Sequence, residues 1–380
     1  MIIDSQKRSF GKVSKVSLFT LGTMRVANDE IKMYELIKFA HFAGINHLET
    51  APSYGKAERF LGNALDKLEK NLRVSKDQWI ITTKVLPKGN FEELKINFYD
   101  SLNNLNIKKI HNLAIHGLNL FEHLEWILNG EGKKFVTWLL DNKLVQQIGF
   151  SSHGSFKLID QAINSDLFDF CSLHLHLLDQ SKFPLAKKAL KKDMGVLAIS
   201  PADKGGKLYL PSDILKEASK PFHPLEIAYR YLLAQGITTL SLGANKSEDF
   251  ELAIKLANAT QKLSKLELDV ISNIENESNK RLGITKCNQC RECLPCPNEV
   301  PIPEILRLRN IYVGHGQIEF AKERYNLIGR AGHWWESKKA DSCLNCNICI
   351  PKCPNNLKIP DLLKETHDLL LDKPKRRLWS

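Results

Sequence analysis

Eight of the nine cysteines lie in two near-identical runs close to the C-terminal end, and this duplication restricts the fold more than any other feature of the chain. The first run is Cys287-x2-Cys290-x2-Cys293-x2-Cys296-Pro297 and the second is Cys343-x2-Cys346-x2-Cys349-x3-Cys353-Pro354. The first three cysteines of each are offset by the same 56 positions, and the likeness runs on past them. Cys296-Pro-Asn-Glu-Val-Pro-Ile-Pro303 mirrors Cys353-Pro-Asn-Asn-Leu-Lys-Ile-Pro360, and each is followed by an acid and apolar residues, Glu304-Ile-Leu and Asp361-Leu-Leu. Pro303 and Pro360 suit the first position of a helix, so each run should lead into one. Closely spaced thiolates let a short loop wrap a metal centre, because soft sulfur selects iron–sulfur or zinc over hard cations.

The second run has the spacing of bacterial ferredoxins, in which the fourth cysteine ligates the other cluster. That resemblance implies two [4Fe–4S] clusters, one held by Cys287, Cys290, Cys293 and Cys353, the other by Cys343, Cys346, Cys349 and Cys296. The first run is one residue short before Cys296. The alternative is a pair of structural zinc sites built from C-x2-C knuckles, which four cysteines in one run followed by proline fit poorly. A disulfide framework is disfavoured, since the rest of the chain has only Cys171 and opens without a secretory h-region. Reduced cysteines and oxygen-sensitive clusters together point to the cytoplasm.

Composition is that of a soluble globular protein, and 380 residues suggest about two domains. No apolar run is long enough to span a membrane. The net charge of +11 raises the question of nucleic acid. Residues 281–380 hold 17 Lys and Arg against 11 Asp and Glu. Two thiolate-ligated cubanes would carry about four negative charges and offset most of that surplus. Lys187-Lys188, Lys191-Lys192 and the Lys373–Arg377 tail read as solvated surface, and no nucleic-acid motif accompanies them. A basic surface that attracts an acidic redox partner is compatible with this charge.

Upstream, residues 16–260 alternate short apolar runs with longer amphipathic ones. Strands are expected at Val16–Leu21, Asn46–Glu49, Trp79–Thr83, Asn112–Ile115, Val145–Phe150, Phe168–Leu173, Gly195–Ser200 and Thr238–Leu242. Helical patterns fall between them, as at Glu30–Ala43, Ala57–Leu68, Phe91–Leu105 and Pro224–Ala234, and Lys262–Asn279 continues as a helix. Eight strand–helix units over about 250 residues predict a (β/α)8 TIM barrel, followed by a small, mainly helical, dicluster ferredoxin-like domain. The expected division is a barrel at 1–262, a helical linker at 263–280 and a cluster domain at 281–380.

In such a barrel the chemistry gathers where strands end. Strand two ends in Glu49-Thr-Ala-Pro-Ser-Tyr54-Gly55, strand three in Thr83-Lys84-Val85 and strand four in Ile115-His116-Gly117. A carboxylate, a phenol, an ammonium and an imidazole on one rim form a proton-donating set. Lys84 beside Tyr54 should lower the phenol's pKa, Glu49 should orient Lys84, and His116 should bond the substrate oxygen. Ser172, His174 and His176 share one face of strand six and are assigned no role. Cys171, on the opposite face, reads as a core thiol.

These residues carry a second resemblance. Leu21-Gly22-Thr23, Gly44-Ile-Asn-His-Leu-Glu-Thr-Ala-Pro-Ser-Tyr-Gly55, Glu58 with Gly62, Thr83-Lys84, Ile115-His116 and Ile148-Gly-Phe-Ser-Ser152 are similar to the aldo-keto reductases. With the cysteine repeat, the chain resembles the branch with a C-terminal dicluster ferredoxin module. The family's tetrad is Asp, Tyr, Lys and His; Tyr54, Lys84 and His116 match it, and Glu49 stands where Asp is usual. The extra methylene is expected to displace the carboxylate from Lys84.

The resemblance implies hydride transfer from NADPH to a small-molecule carbonyl substrate, with Tyr54 as general acid. It places Ser151 and Ser152 at the nicotinamide amide. Loops after strands seven and eight commonly form a phosphate site. Here they supply Ser200, Lys204, Gly205, Gly206 and Lys207, then Gly243 and Lys246. Lys246 is the available partner for a 2′-phosphate; the arginine often found a few residues later is absent, with Phe250 and Glu251 in that stretch. Leu118–Glu122 suggests a mildly apolar pocket rim. Two functions remain open: an NADPH-dependent carbonyl oxidoreductase with an attached electron-transfer module, or an NADP(H)-binding sensor or scaffold whose clusters dock a partner, a ferredoxin or flavoprotein. A third reading makes the clusters purely structural staples. Trp334-Trp335 is expected to pack the cluster domain.

Overall fold

The computed structural model describes residues 2–202, 207–329 and 338–373. Lys204, Gly205, Gly206, Trp334, Trp335 and the tail beyond Lys373 lie outside them. The chain divides into two compact units. The first comprises residues 1–177, 182–201 and 229–262; the second comprises 178–181, 202–228 and 263–380.

The first unit is built around a closed barrel of eight parallel strands. They are β3 (Phe19–Gly22), β4 (His47–Glu49), β5 (Ile80–Val85), β6 (Ile110–Ile115), β7 (Val145–Ser152), β8 (Phe170–His174), β9 (Gly195–Ile199) and β10 (Thr239–Leu242), with β10 pairing back onto β3. Their connections include α1 (Glu30–Phe42), α2 (Ala57–Leu72), α3 (Phe91–Leu105), α4 (Phe121–Leu128), α5 (Glu131–Asp141), α6 (Phe156–Asn164) and α7 (Phe183–Lys191). Local chemistry sets their ends. Asp29 and Asn90 cap α1 and α3 by accepting backbone N–H groups, and Glu93 completes a capping box on α3. Lys188 and Lys192 near the end of α7 pair with Asp160 and Asp166 at 2.6 and 2.7 Å.

The single strand expected at Val16–Leu21 is in fact two elements. Residues 14–17 form β2, paired antiparallel with β1 (Lys7–Phe10), and only residues 19–22 enter the barrel. The hairpin is needed because the barrel floor has to be closed. Phe10 stacks on Phe170 and His47, with ring centroids 4.9 and 5.1 Å apart. A Cβ at Gly195 would meet the Phe10 ring at 2.5 Å, and one at Gly149 would meet the Phe170 ring at the same distance. Two glycines thus give the space that two aromatic rings occupy.

Above this floor the barrel interior carries a polar layer. Thr20 Oγ1 bonds Thr239 Oγ1 and His47 Nδ1 at 2.8 and 2.7 Å, and His47 Nε2 bonds Thr82 Oγ1 at 2.7 Å. Asn112 Nδ2 donates to Thr82 Oγ1, and Gln147 Nε2 donates to Asn112 Oδ1 and to Phe10 O. All of these side chains are fully buried, so each needs its partners. Burial pushes the His47 pKa down to about 3, so the ring is neutral there.

The second unit contains α8 (Asp213–Ala218), α11 (Lys265–Leu282), α12 (Ile302–Arg309), α13 (Ile318–Asn326) and α14 (Ile359–Leu370), with a π turn at 310–314; α9 (Pro224–Ala234) straddles the boundary, and α10 (Glu251–Lys255) belongs to the first unit. α12 and α14 are the two helices that follow the cysteine runs, and each has its proline, Pro303 or Pro360, in the first turn. They share a core of Ile302, Ile305, Leu306, Leu308, Phe320, Tyr325, Ile359, Leu362 and Leu363. Arg309, itself buried, makes a bidentate pair with Glu365 across these helices. No helix among the described residues is long and apolar enough to cross a membrane.

Candidate functional site

Glu49, Lys84 and His116 end adjacent strands and are all nearly inaccessible. Lys84 Nζ pairs with Glu49 Oε1 and donates to Thr50 O at 2.8 Å and to Tyr54 Oη at 2.9 Å. The expected displacement of Glu49 does not occur. The pair forms because both side chains rise from neighbouring strands in register, Glu49 opposite Thr82 and Lys84 two residues further on. Tyr54 reaches the same point from the turn after β4, its ring edge-on to His116 at 5.8 Å.

The electrostatics differ from the expectation in one respect. Burial raises the Tyr54 pKa, and the Glu49 charge raises it further; Lys84 acts in the opposite direction but does not prevail. The phenol is therefore held protonated. Burial opposes the Lys84 ammonium, yet Glu49 and Tyr54 outweigh it and its pKa is raised. Glu58 lies behind this group, buried, accepting from Thr83 Oγ1 at 2.5 Å, with its pKa raised by burial. It anchors β5 one residue before Lys84.

Sequence reasoning gave no role to Ser53, whose hydroxyl bonds His116 Nδ1 at 3.2 Å. With Ser53 as donor, the imidazole proton sits on Nε2. The signal was present, since Ser53 adjoins Tyr54, but only the fold brings it to His116. His153 was also missed. Its Nε2 is 3.2 Å from His174 Nε2, and His174 stacks on His176 with centroids 5.9 Å apart. Cys171 faces away, fully buried, its thiol pushed up to about 12 by burial.

The two serines that end β7 differ in their partners. Ser151 Oγ accepts from Gly117 N at 3.0 Å and keeps its own hydrogen to donate. Ser152 is fully buried, donates to Leu118 O at 2.5 Å and accepts from Gly154 N.

Ser200, the residue after β9, has φ +50, a left-handed backbone that is uncommon for a non-glycine residue. Lys207 pairs with Glu323 at 3.6 Å. After β10, Gly243 makes room for Arg25, whose Nε would lie 2.8 Å from a Cβ there. Lys246 is exposed, and Asp249 accepts from the backbone N–H of both Asn245 and Lys246. Phe250 is buried against Phe39. The loop thus carries Glu248 and Asp249 beside its one lysine. Leu120 and Phe121 at the β6 exit are exposed and apolar.

In the second unit the thiols gather around two hollows. One is lined by Cys287, Cys290, Cys293 and Cys353, the other by Cys293, Cys296, Cys343, Cys346 and Cys349. Burial pushes Cys287 up to about 11, with Cys290 and Cys353 adding to it. It pushes Cys293 up to about 12. The backbones of the two runs match: Gln289 and Asn345, Arg291 and Asn347, and Glu299 and Asn356 all have positive φ. Leu294 N and Ile350 N donate to the equivalent carbonyls, Arg291 O and Asn347 O. Among the described residues no three His, Cys, Asp or Glu side chains converge closely enough to hold a single metal ion.

The aldo-keto reductase family model matches residues 19–209. The barrel has the same fold as solved aldo-keto reductases. One from Bacillus halodurans, in its holo form, is 20% identical with a TM-score of 0.60, over 71% of this chain and 96% of its own. One from Bombyx mori, solved with NADP, is 17% identical with a TM-score of 0.57, over 71% of this chain and 92% of its own. A thermostable aldo-keto reductase solved with the inhibitor epalrestat is 20% identical with a TM-score of 0.58, over 70% of this chain and 98% of its own. No curated protein matches. The chain belongs to the aldo-keto reductase family, and it is an NAD(P)H-dependent oxidoreductase.

Proposed function

We propose that the chain reduces a small carbonyl compound with NADPH and carries a two-cluster electron-transfer module at residues 281–380, joined by residues 263–280 to a catalytic barrel at 1–262. The observation that supports the catalytic reading is the Tyr54 hydroxyl 2.9 Å from a lysine that is itself paired with Glu49. When bound, the cofactor supplies a hydride to the carbonyl carbon. Tyr54 gives its proton to the carbonyl oxygen as charge builds there, and the Lys84 ammonium stabilises the phenolate left behind. Glu49 keeps Lys84 charged and aimed. With Ser53 donating to its Nδ1, His116 donates from Nε2 to the same oxygen. Ser151 offers a hydroxyl donor to the nicotinamide amide, and Ser200, Gly243 and Arg25 border the strand ends where a dinucleotide phosphate would lie. Lys246 is the candidate for a 2′-phosphate. The Bombyx mori relative solved with NADP supports that cofactor.

Two observations support the cluster reading. One hollow is lined by three cysteines of the first run and the fourth of the second, and the other by three of the second run with Cys296 and Cys293 of the first, which supports the cross-ligation that the ferredoxin spacing implies. The matched left-handed positions give both loops the same course around them. Cys287, Cys290, Cys293 and Cys353 would hold one [4Fe–4S] cluster and Cys343, Cys346, Cys349 and Cys296 the other. Bound there, they would store and pass single electrons.

Tyr54→Phe tests the catalytic role. With NADPH binding intact, carbonyl turnover should fall about 10²- to 10⁴-fold. Turnover that survives removes Tyr54 as the acid. A wild-type chain that binds NADPH and reduces no carbonyl would favour the sensor reading.

A further inference from the structure

The two cysteine loops share a backbone but not a surface. In the second, Leu344 and Ile348 flank Cys346, line its hollow, and are 72% and 46% exposed. The equivalent residues of the first loop, 56 positions earlier, are Asn288 and Glu292, and its central Arg291 is held by Glu304 at 2.6 Å. Ile284 is also exposed near the first run, but it stands alone and lines neither hollow; single exposed apolar residues are ordinary. Two exposed aliphatic side chains on either side of an exposed cysteine are a costly surface for a free protein and fit an interface.

The charges divide the same way. Residues 338–358 carry Lys338, Lys339, Lys352 and Lys358 against Asp341, with Lys338 paired to Glu299 of the first window at 3.4 Å. The matching window, 282–302, carries Lys286 and Arg291 against Glu292 and Glu299. An apolar centre within a basic surround is complementary to a partner with an apolar tip and an acidic rim.

The chemistry narrows the partner. NADPH gives up electrons in pairs as hydride, whereas a cubane takes one at a time. The chain has no Gly-x-Gly-x-x-Gly loop for a dinucleotide-type flavin. A flavin carrier handles both kinds of transfer. We infer that the Cys343–Cys353 loop, and not its repeat mate, is the docking face for a small acidic flavin protein that exchanges electrons with the module one at a time. This inference rests on the cluster reading above.

The test uses the full chain, reconstituted anaerobically with iron and sulfide, and purified oxidised flavodoxin as the probe. Binding is measured by calorimetry at low and high salt. The wild type is compared with Leu344→Asn/Ile348→Glu, which gives the second loop the first loop's rim, and with the mirror variant Asn288→Leu/Glu292→Ile. The wild type should bind, and more weakly at high salt, where exposed charges are screened. The first double variant should lose at least tenfold in affinity with iron content and visible absorption unchanged; the mirror variant should stay within twofold of wild type. Unchanged affinity in the first variant, or a larger loss in the mirror variant, overturns the assignment. Full iron content with no flavodoxin binding overturns this inference alone. A chain that takes up no iron defeats the cluster reading and this inference with it.

Discussion

The barrel mouth and the cysteine unit concentrate reactive side chains by opposite means. At the mouth, oppositely charged groups from separate strands meet and satisfy each other: Glu49, Lys84 and Tyr54 form one chain of contacts. In the cysteine unit, like groups are brought close by the chain itself, and burial pushes two of the thiols to about 11 and 12. A complementary set stabilises its own charged forms. Cys287 and Cys293, with thiols beside them instead of a cation, are held in the neutral form by burial. On the function proposed above, the first arrangement would serve as an acid and the second as a ligand set.

Three changes would break or sharpen this contrast. The largest effect should come from Glu49→Gln, which leaves the Lys84 ammonium buried without its counter-charge. Breaking such a pair costs about 3–5 kcal/mol, so chemical denaturation should show the barrel transition shifted while that of the cysteine unit stays in place. A cost below about 1 kcal/mol, the range of exposed pairs, would mean the group is not charge-complementary in the way described.

Acid should reveal the next effect. His47 has a folded-state pKa of about 3, below the ordinary 6.5, so its contribution is complete above pH 6.5 and is lost as pH falls toward 3. By pH 4 the barrel should have lost ~3 kcal/mol from this group. His315 in the second unit, pushed down to about 4 by burial, acts in the same direction there. His47→Gln should flatten the acid limb of the barrel and leave that of the second unit as it was. The same flattening in both units would show that their acid sensitivities are not separate.

The smallest effect concerns the matched loops. Glu299 and Asn356 occupy equivalent left-handed positions, and asparagine tolerates that conformation better than glutamate. Glu299→Gly should therefore stabilise the second unit by up to about 1 kcal/mol in thermal unfolding, and Asn356→Gly by less. Equal gains would contradict the conformational account.

Legibility in the sequence followed the range of the signal. The cysteine runs, their prolines and the helices after them are local, and the alternation of strand and helix predicted the eight-stranded barrel with strand ends within a few residues. Tyr54, Lys84 and His116 were readable because each follows an apolar strand. The hairpin was not, because Val16–Leu21 is continuous in apolar pattern and only the need to close the floor with Phe10 divides it. The layer from Thr20 to Gln147 was equally hidden. Singly, these residues read as ordinary polar strand positions, and their partners lie up to 219 residues away in the chain. The sign of the Tyr54 shift was missed because Lys84 was weighed without burial.

The sharing of cysteines between the two hollows has one further implication. On the cluster reading proposed above, Cys353 would belong with residues 287–293, and Cys296 with residues 343–349. Although the module reads as a tandem duplication, neither copy is self-sufficient. A ribosome that has released only the first run has not yet made a complete site of any kind. A chain cut short between the runs would forfeit both centres together. On that reading the duplication would be locked: neither half could be deleted, moved to another protein or kept as a single-centre remnant without rebuilding its fourth ligand.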